Sequence, residues 1–100
     1  MFENNKNIWV YIETEEGKPK AVGFELLSPG RDIADKRGCS LVAVVIGNGV
    51  EETAKQAIAY GADQVLLLDA PEYNIYNTDV FGEAMVGLIE KYQPEGILIG

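Results

Sequence analysis

The segment that first suggests a chemistry is Gly47-Asn48-Gly49, which directly follows an apolar run. A glycine-rich turn between a strand and a helix exposes backbone amides that bind phosphate, and G-x-G-x-x-G is the form used for dinucleotides. In this chain the third glycine position holds Glu52, and Glu51 precedes it. Two carboxylates in the first turn of a helix complement its positive end and repel a pyrophosphate. The sequence therefore favours a tight strand-to-helix turn over a dinucleotide or ATP site.

The other reactive side chains do not form a catalytic set. The chain has one cysteine, Cys39, and no histidine, which excludes a Cys/His zinc site and a histidine general base. Without a histidine to activate it, Cys39 is interpreted as a small apolar residue at the entry of a strand. The carboxylate pairs Glu15/Glu16 and Glu51/Glu52 fall in turns and helix starts, where water solvates them. We predict no catalytic and no metal-binding residues, and therefore no enzyme activity in this chain itself.

Composition narrows the classes of partner and compartment. One hundred residues are enough for one domain with a real core, and the net charge of −8 argues against nucleic-acid binding. Residues 1–7 carry no signal-peptide hydrophobic region, and no apolar run is long enough to span a bilayer. A lone cysteine is typical of a reducing compartment. We predict a cytoplasmic protein without direct membrane insertion.

The elements that position these residues alternate along the chain. Four continuous apolar, β-rich runs are typical of strands covered on both faces: Ile8–Glu13, Leu41–Ile46, Val65–Asp69 and Gly96–Ile99. Three helical patterns lie between them, at about residues 21–37, 50–60 and 78–92. Alternation with short connections predicts parallel crossovers. The predicted fold is a three-layer, Rossmann-like α/β sandwich with a parallel sheet, of the adenine-nucleotide-α-hydrolase-like kind.

The first helical pattern and the end of the chain each need separate interpretation. Pro29 lies inside the first helical pattern, where it either kinks one helix, the alternative we favour, or stands at the first position of a second helix capped by Ser28. Gly38 predicts a left-handed end to that helix. The chain ends just after its fourth predicted strand, so we expect residues 1–100 to be an α/β domain of a longer protein, truncated after that strand.

Three aromatic residues are candidates for contact with another domain or subunit. Trp9 lies in the first strand and is either a core residue or a contact with a neighbouring domain. Tyr73 and Tyr76 lie in the long segment Asp69–Asn77, which leaves the carboxyl end of the third predicted strand. Open α/β sheets place their sites at that edge. We predict that the tyrosines help to dock this domain, and the rival interpretation is that both rings pack locally as core.

The order of several short motifs resembles the beginning of the electron-transfer flavoprotein α subunit. The motifs extend over the chain after Lys6, and their order and spacing are more specific than any one of them: Ile8–Glu13, Glu16–Lys18, Glu25–Leu27, Gly30-Arg31, Ala34-Asp35, Gly38, Val42–Gly47, Ala59–Asp63, Tyr73 through Thr78, Lys91–Pro94 and Ile97–Gly100.

The resemblance implies a function that the residues alone do not. Members are heterodimers of an α and a β subunit that carry electrons from flavin dehydrogenases, such as acyl-CoA dehydrogenases, to other acceptors. It implies that FAD is bound mainly in the α subunit's carboxyl-terminal domain, outside these residues, so no FAD-binding residue is carried over. It further implies that this domain pairs with the β subunit to form a base for the flavin domain, and that the β subunit holds AMP or, in electron-bifurcating members, a second FAD.

Two other classes remain alternatives at this point. A nucleotide-binding domain of the universal-stress-protein type needs a glycine-rich phosphate loop after the last strand. A receiver-type signalling domain needs an acidic cluster at the strand ends, and Glu13 and Asp69 match that requirement only in part.

Overall fold

The structure is a computed structural model, and it describes residues 7–75 and 78–99. The strands are β1 (Ile8–Glu15), β2 (Lys18–Pro19), β3 (Leu41–Gly47), β4 (Gln64–Asp69) and β5 (Gly96–Leu98). The helices are α1 (Ala21–Glu25), α2 (Leu27–Arg37), α3 (Glu51–Ala59) and α4 (Thr78–Tyr92), with a short 3-10 turn at Pro71–Tyr73. The four predicted strands and the three predicted helical regions are thus all present, with small shifts at their ends.

The sheet is mostly parallel. Its parallel strands lie in the order β5-β1-β3-β4, because β1 pairs with both β3 and β5 and β3 pairs with β4. The chain therefore moves outward from β1 through β3 to β4 and then returns to the other side of β1 with β5. This reversal of strand order next to β1 is the feature that marks the ligand crevice in Rossmann-like sheets.

The two faces of the sheet carry separate apolar layers. Ile8, Val10 and Ile12 of β1 join alternate residues of β3 in a buried cluster that includes Leu27 of α2 and Ala57 of α3. On the opposite face the cluster consists of alternate strand residues, with Trp9 among them, and of residues from α4, with Phe81 the most buried. Helices on both faces confirm the predicted three-layer, Rossmann-like architecture.

Strand β2 corrects the sequence prediction of a purely parallel sheet. It pairs antiparallel with the end of β1, with Glu15 opposite Lys18 and a two-residue loop, Glu16-Gly17, between them. Both loop residues have positive φ, 53° and 79°, which is the signature of the type I′ turn that suits a tight hairpin. No strand was predicted between residues 13 and 21, because Glu16-Gly17 lacks the Asn-Gly or Asp-Gly pair that usually signals such a turn.

The first helical region also differs from the favoured prediction. It consists of two helices that meet at Leu26, three residues before Pro29, instead of one helix kinked at the proline. Pro29 is the third residue of α2, where a missing amide proton costs nothing, and Ser28 makes no side-chain cap. The break falls where the proline ring would meet the preceding turn. Gly38 ends α2 with φ of 68°, which confirms the predicted left-handed stop.

Within residues 7–75 and 78–99, no helix combines the length and the apolar character that crossing a bilayer requires.

Candidate functional site at the carboxyl edge of the sheet

The carboxyl edge of the sheet is where this fold would place a ligand, and here it is formed by three loops. They are the hairpin turn after β1, the turn from Gly47 to Val50 after β3, and the segment from Ala70 to Asn74 after β4. Parallel strands end at a common edge, so these loops lie side by side. Their contacts decide whether the edge is open to a ligand.

Asp69 fills the position at which the glycine turn would bind an anion. Its Oδ1 accepts the backbone amide of Gly49 at 2.8 Å, and its Oδ2 accepts the amide of Val50 at 3.0 Å. These are the amides just before α3, which begins at Glu51. A phosphate bound to such a turn would use the same donors. The amides are already satisfied by a carboxylate of the chain itself.

The hairpin turn packs directly against the glycine turn. A Cβ added to Gly17 would lie 2.9 Å from the backbone oxygen of Asn48, which shows how closely the two loops approach. The amide of Glu16 donates to the carbonyl of Asn74 at 2.7 Å, so the third loop is joined to the same arrangement. Strand β2 also lies beside the end of β1 on the edge shared with β5, which is where strand order reverses. The hairpin therefore lies at the carboxyl end of β1, on the side at which a Rossmann-like sheet opens its crevice.

A buried hydroxyl joins the carboxyl ends of β1 and β3 next to the glycine turn. Thr14 is fully buried, and its Oγ1 donates to the carbonyl of Ile46 at 2.7 Å, linking β1 to the end of β3. Gly47 must lack a side chain here, because an added Cβ would lie 2.3 Å from Oγ1 of Thr14 and 2.7 Å from Cγ1 of Val50. The glycine therefore serves close packing as well as turn formation.

The electrostatic character of the edge also disfavours phosphate. Exposed Glu51 and Glu52 occupy the first turn of α3, and Asp69 lies beside them in the glycine turn. These negative charges repel the polyphosphate group of a nucleotide and so disfavour its binding at this edge. The residues at this edge do not fit a flavin or nucleotide phosphate. Among the described residues, no cluster of three or more Asp, Glu, Cys or His side chains is arranged to hold a metal ion.

The three predicted contact residues fall in three different situations. Trp9 is fully buried and packs edge-on to Tyr92, with ring centroids 6.5 Å apart, so the core interpretation applies and any effect of Trp9 on docking is indirect. Tyr73 is half-buried, and its ring meets Phe81 edge-on at 5.5 Å. Tyr76 lies outside the described residues. Trp9 and Tyr73 both belong to the apolar layer on the α4 side of the sheet, and docking by Tyr73 and Tyr76 stays a prediction.

An apolar groove of about 190 Å³ opens between the sheet and α4. Its lining comprises Tyr11, Ile46, Phe81, Gly82, Met85 and Ile99. Ile99 of this lining is 63% exposed, and Val86, elsewhere on α4, is 53% exposed. Sequence reasoning missed this groove, because it is formed by residues from β1, β3 and α4 that are far apart in the chain.

The opposite, amino-terminal edge of the sheet is held by an ionic cluster around Arg31. The hydrogen bond and charge of Asp63, and to a lesser degree those of Asp35, raise the pKa of Arg31 despite partial desolvation. Desolvation alone would raise the pKa of Asp63, but hydrogen bonds from the amide of Leu41 and from Arg31, together with the guanidinium charge, outweigh it and lower the pKa. These groups are partly exposed and pair with one another, so the cluster has a structural role.

Comparison with known proteins identifies relatives along the whole chain. The family model described as the electron transfer flavoprotein domain matches residues 8–100. Acryloyl-CoA reductase electron transfer subunit beta of Anaerotignum propionicum is 44% identical over 95 residues, which are 95% of this chain and 26% of that protein. Electron transfer flavoprotein subunit alpha of Thermoanaerobacterium thermosaccharolyticum is 40% identical over 95 residues, covering 95% of this chain and 29% of that protein.

Protein FixB of Rhizobium meliloti is 39% identical over 104 residues, covering 100% of this chain and 30% of that protein. The chain thus spans less than a third of the length of each of these three curated relatives.

Proposed function

This chain belongs to the electron-transfer flavoprotein family and corresponds to the amino-terminal domain of its α subunit, and we propose that it serves there as a scaffold that binds no nucleotide itself. The observation that carries the scaffold role is the carboxylate of Asp69 on the amides of Gly49 and Val50. Because the amides of this turn already donate hydrogen bonds to a carboxylate of the same chain, they are not available to bind the phosphate of a cofactor.

The flavin of the intact protein is FAD in this proposal, held mainly by polypeptide outside these hundred residues. The family match supports a flavin, and the closed carboxyl edge supports its location elsewhere. The intact protein passes electrons between flavin dehydrogenases, for example acyl-CoA dehydrogenases, and other acceptors. It does so as a carrier subunit in the cytoplasm, without catalysing a reaction of its own in this domain.

The partner of the scaffold is an electron-transfer flavoprotein β subunit, which holds AMP or a second FAD. The relatives named as electron transfer subunits support an assembly of this kind. The apolar groove beside α4 and the exposed side chains Val86 and Ile99 are apolar surface of the sort that subunit interfaces cover. The family match decides against the universal-stress-protein and receiver alternatives.

Calorimetric titration tests the absence of a nucleotide site in this chain. We expect no stoichiometric binding of FAD or ATP by the hundred-residue chain, whereas the intact protein with its β subunit is yellow and absorbs near 450 nm. Tight one-to-one binding of either nucleotide to the chain alone would overturn the scaffold role. A colourless intact protein that takes up no flavin would overturn the wider proposal.

Light scattering tests the obligate partner surface. We expect the chain to self-associate or precipitate when it is expressed without the β subunit, because a surface that a partner covers is left exposed to water. Co-expression with the β subunit is expected to restore solubility. A stable monomer at high concentration would contradict an obligate partner surface.

A further inference from the structure

The apolar groove between the sheet and α4 continues onto the exposed side of the helix. Gly82 lines this groove, and it also lines a shallow depression on α4 that includes Val86, Gly87 and Glu90. We propose that the groove and the depression together receive a segment of the β subunit that carries one large apolar side chain between basic residues. The inference rests on the proposed function, because it states which part of this chain that partner binds and with what chemistry.

The groove has the size and the chemistry of a pocket for one side chain. Its volume is about 190 Å³, and a dry cavity of about 150 Å³ in another protein accepts a benzene ring. Aliphatic and aromatic residues supply most of its lining, and Ile99 among them is 63% exposed. A leucine, methionine or phenylalanine side chain inserted here would remove this apolar surface from water.

Two glycines on the exposed side of α4 are not explained by the packing of the chain itself. Gly82 and Gly87 lie inside the helix, where glycine is less favourable than alanine. A Cβ at either position would have no heavy atom within 4 Å among the described residues, so the chain has room for a larger residue. Glycine allows another backbone to approach closely. Both glycines line the depression, which supports a partner segment that crosses α4 at this point.

The charges beside the depression favour a basic partner. Asp79, Glu83 and Glu90 are exposed there, and residues 79–90 include no lysine or arginine. Lysine or arginine on the partner would supply the complementary charge. Because this chain has a net charge of −8, a second copy of it suits the acidic surface less well than a basic partner does, and an anionic membrane surface is repelled.

The affinity of the intact α subunit for the β subunit tests the proposal. Gly82→Leu introduces a good helix former but places a branched side chain where the groove meets the depression. We expect this variant to bind the β subunit at least about tenfold more weakly, a loss typical of a blocked apolar anchor, with no fall in its own melting temperature. Glu83→Lys should slow association and lower the affinity about threefold to tenfold, with a weaker dependence on salt.

Asp32→Lys is the matched control for the charge reversal. Asp32 is exposed on α2, which packs against the opposite face of the sheet. The variant should bind the β subunit with the affinity of the unsubstituted protein. At saturating β subunit, the flavin absorbance near 450 nm should be the same in all of these proteins. An unsubstituted protein that forms no flavin-containing heterodimer would contradict the proposed function and, with it, the partner named here.

Three results in a yellow heterodimer would overturn this inference alone. Unchanged affinity of Gly82→Leu for the β subunit would show that the partner does not enter the groove. Unchanged affinity with a lowered melting temperature of the intact α subunit would assign the groove to another segment of the same polypeptide. Equal weakening by Asp32→Lys and Glu83→Lys would show that net charge, and not the α4 surface, sets the affinity.

A second variant covers the case in which Gly82→Leu does not fold. The double substitution Gly82→Ala and Gly87→Ala takes its place, because both positions are open and alanine favours the helix. It should raise the melting temperature of the α subunit and still weaken the heterodimer, about threefold or more. A double variant that is more stable and binds the β subunit as tightly as the unsubstituted protein would overturn the proposal.

Discussion

Arg31 and Asp63 are joined by a 3.0 Å contact between Nη1 and Oδ2, and the same carboxylate oxygen accepts the amide of Leu41 at 2.9 Å. Nη1 also donates to the carbonyl of Gly61 at 3.0 Å. One carboxylate thus links α2, the start of β3 and the loop that leads into β4. The pair lies 32 residues apart in sequence, so it holds together parts of the fold that form at separate points of the chain.

The lowered pKa of Asp63 predicts a specific pattern of acid stability. A carboxyl whose pKa is lower in the folded state stabilises that state above its unfolded value of 3.8, and this contribution is lost as the pH falls below 3.8 through the folded value. Asp63→Asn should therefore reduce the free energy of unfolding at pH 7 by about 0.5–1 kcal/mol. The effect is modest because both side chains are partly exposed and water screens their charges. The difference from the unsubstituted chain should vanish near pH 2 in urea titrations.

Asp35→Asn is the matched control for that measurement. Asp35 also contacts Arg31, but its side chain is 64% exposed and the contact spans a single helical turn. The substitution should change stability at pH 7 less than Asp63→Asn does. An Asp63→Asn variant whose deficit persists unchanged at pH 2 would show that charge is not the source of the effect.

The sequence was sufficient to predict the layers of the fold, because continuous runs such as Leu41–Ile46 read as buried strands and Gly38 read as a helix end. It was insufficient for β2, since the Glu16-Gly17 turn lacks the usual asparagine or aspartate signal. It also misplaced the break before α2, which depends on the packing of Leu27 and on the clash that Pro29 would make one turn earlier.

The sequence predicted that the glycine turn would bind phosphate poorly, but it did not predict the contact with Asp69. Glu51 and Glu52 are adjacent to the glycine turn in sequence, so the poor fit to phosphate could be predicted from local charge. Asp69 is 20 residues from Gly49, and only the pairing of β3 with β4 brings its carboxylate to the turn. A sequence pattern read along the chain contains no signal for that contact.

Gly47→Ala should be among the most destabilising single substitutions in the chain. The new methyl group would lie 2.3 Å from Oγ1 of Thr14, a buried group that already bonds to Ile46. Overpacking in a close-packed region costs about 1–3 kcal/mol, and we expect a loss near the upper end, measured by urea denaturation. Thr14→Ala in the same chain should recover part of that loss, and strict additivity of the two substitutions would argue against this clash as the cause.

Gly87→Ala should have the opposite effect. Gly87 lies in the interior of α4, and an added Cβ would have no heavy atom within 4 Å among the described residues. Alanine is favoured over glycine in a helix by about 0.8–1 kcal/mol, so the free energy of unfolding should rise by close to that amount. Circular dichroism during denaturation is the measurement, and Gly82→Ala, which is equally open, should repeat the result.

Replacing Tyr73 distinguishes docking from local packing. Its half-buried ring meets Phe81 at 5.5 Å with an interplanar angle of 83°, so Tyr73→Ala should lower the melting temperature of the chain modestly, in line with the 0.5–1.5 kcal/mol typical of an aromatic pair. If the ring also docks the β subunit, Tyr73→Ala should weaken the heterodimer about tenfold or more, a loss typical of a buried aromatic anchor. Tyr73→Phe keeps the ring against Phe81 and should preserve the melting temperature, so any weakening of the dimer it causes reports on the hydroxyl alone.

The same pair of substitutions at Tyr76 tests the second tyrosine. A sharp fall in melting temperature with unchanged dimer affinity would make Tyr73 a core residue and refute the docking role.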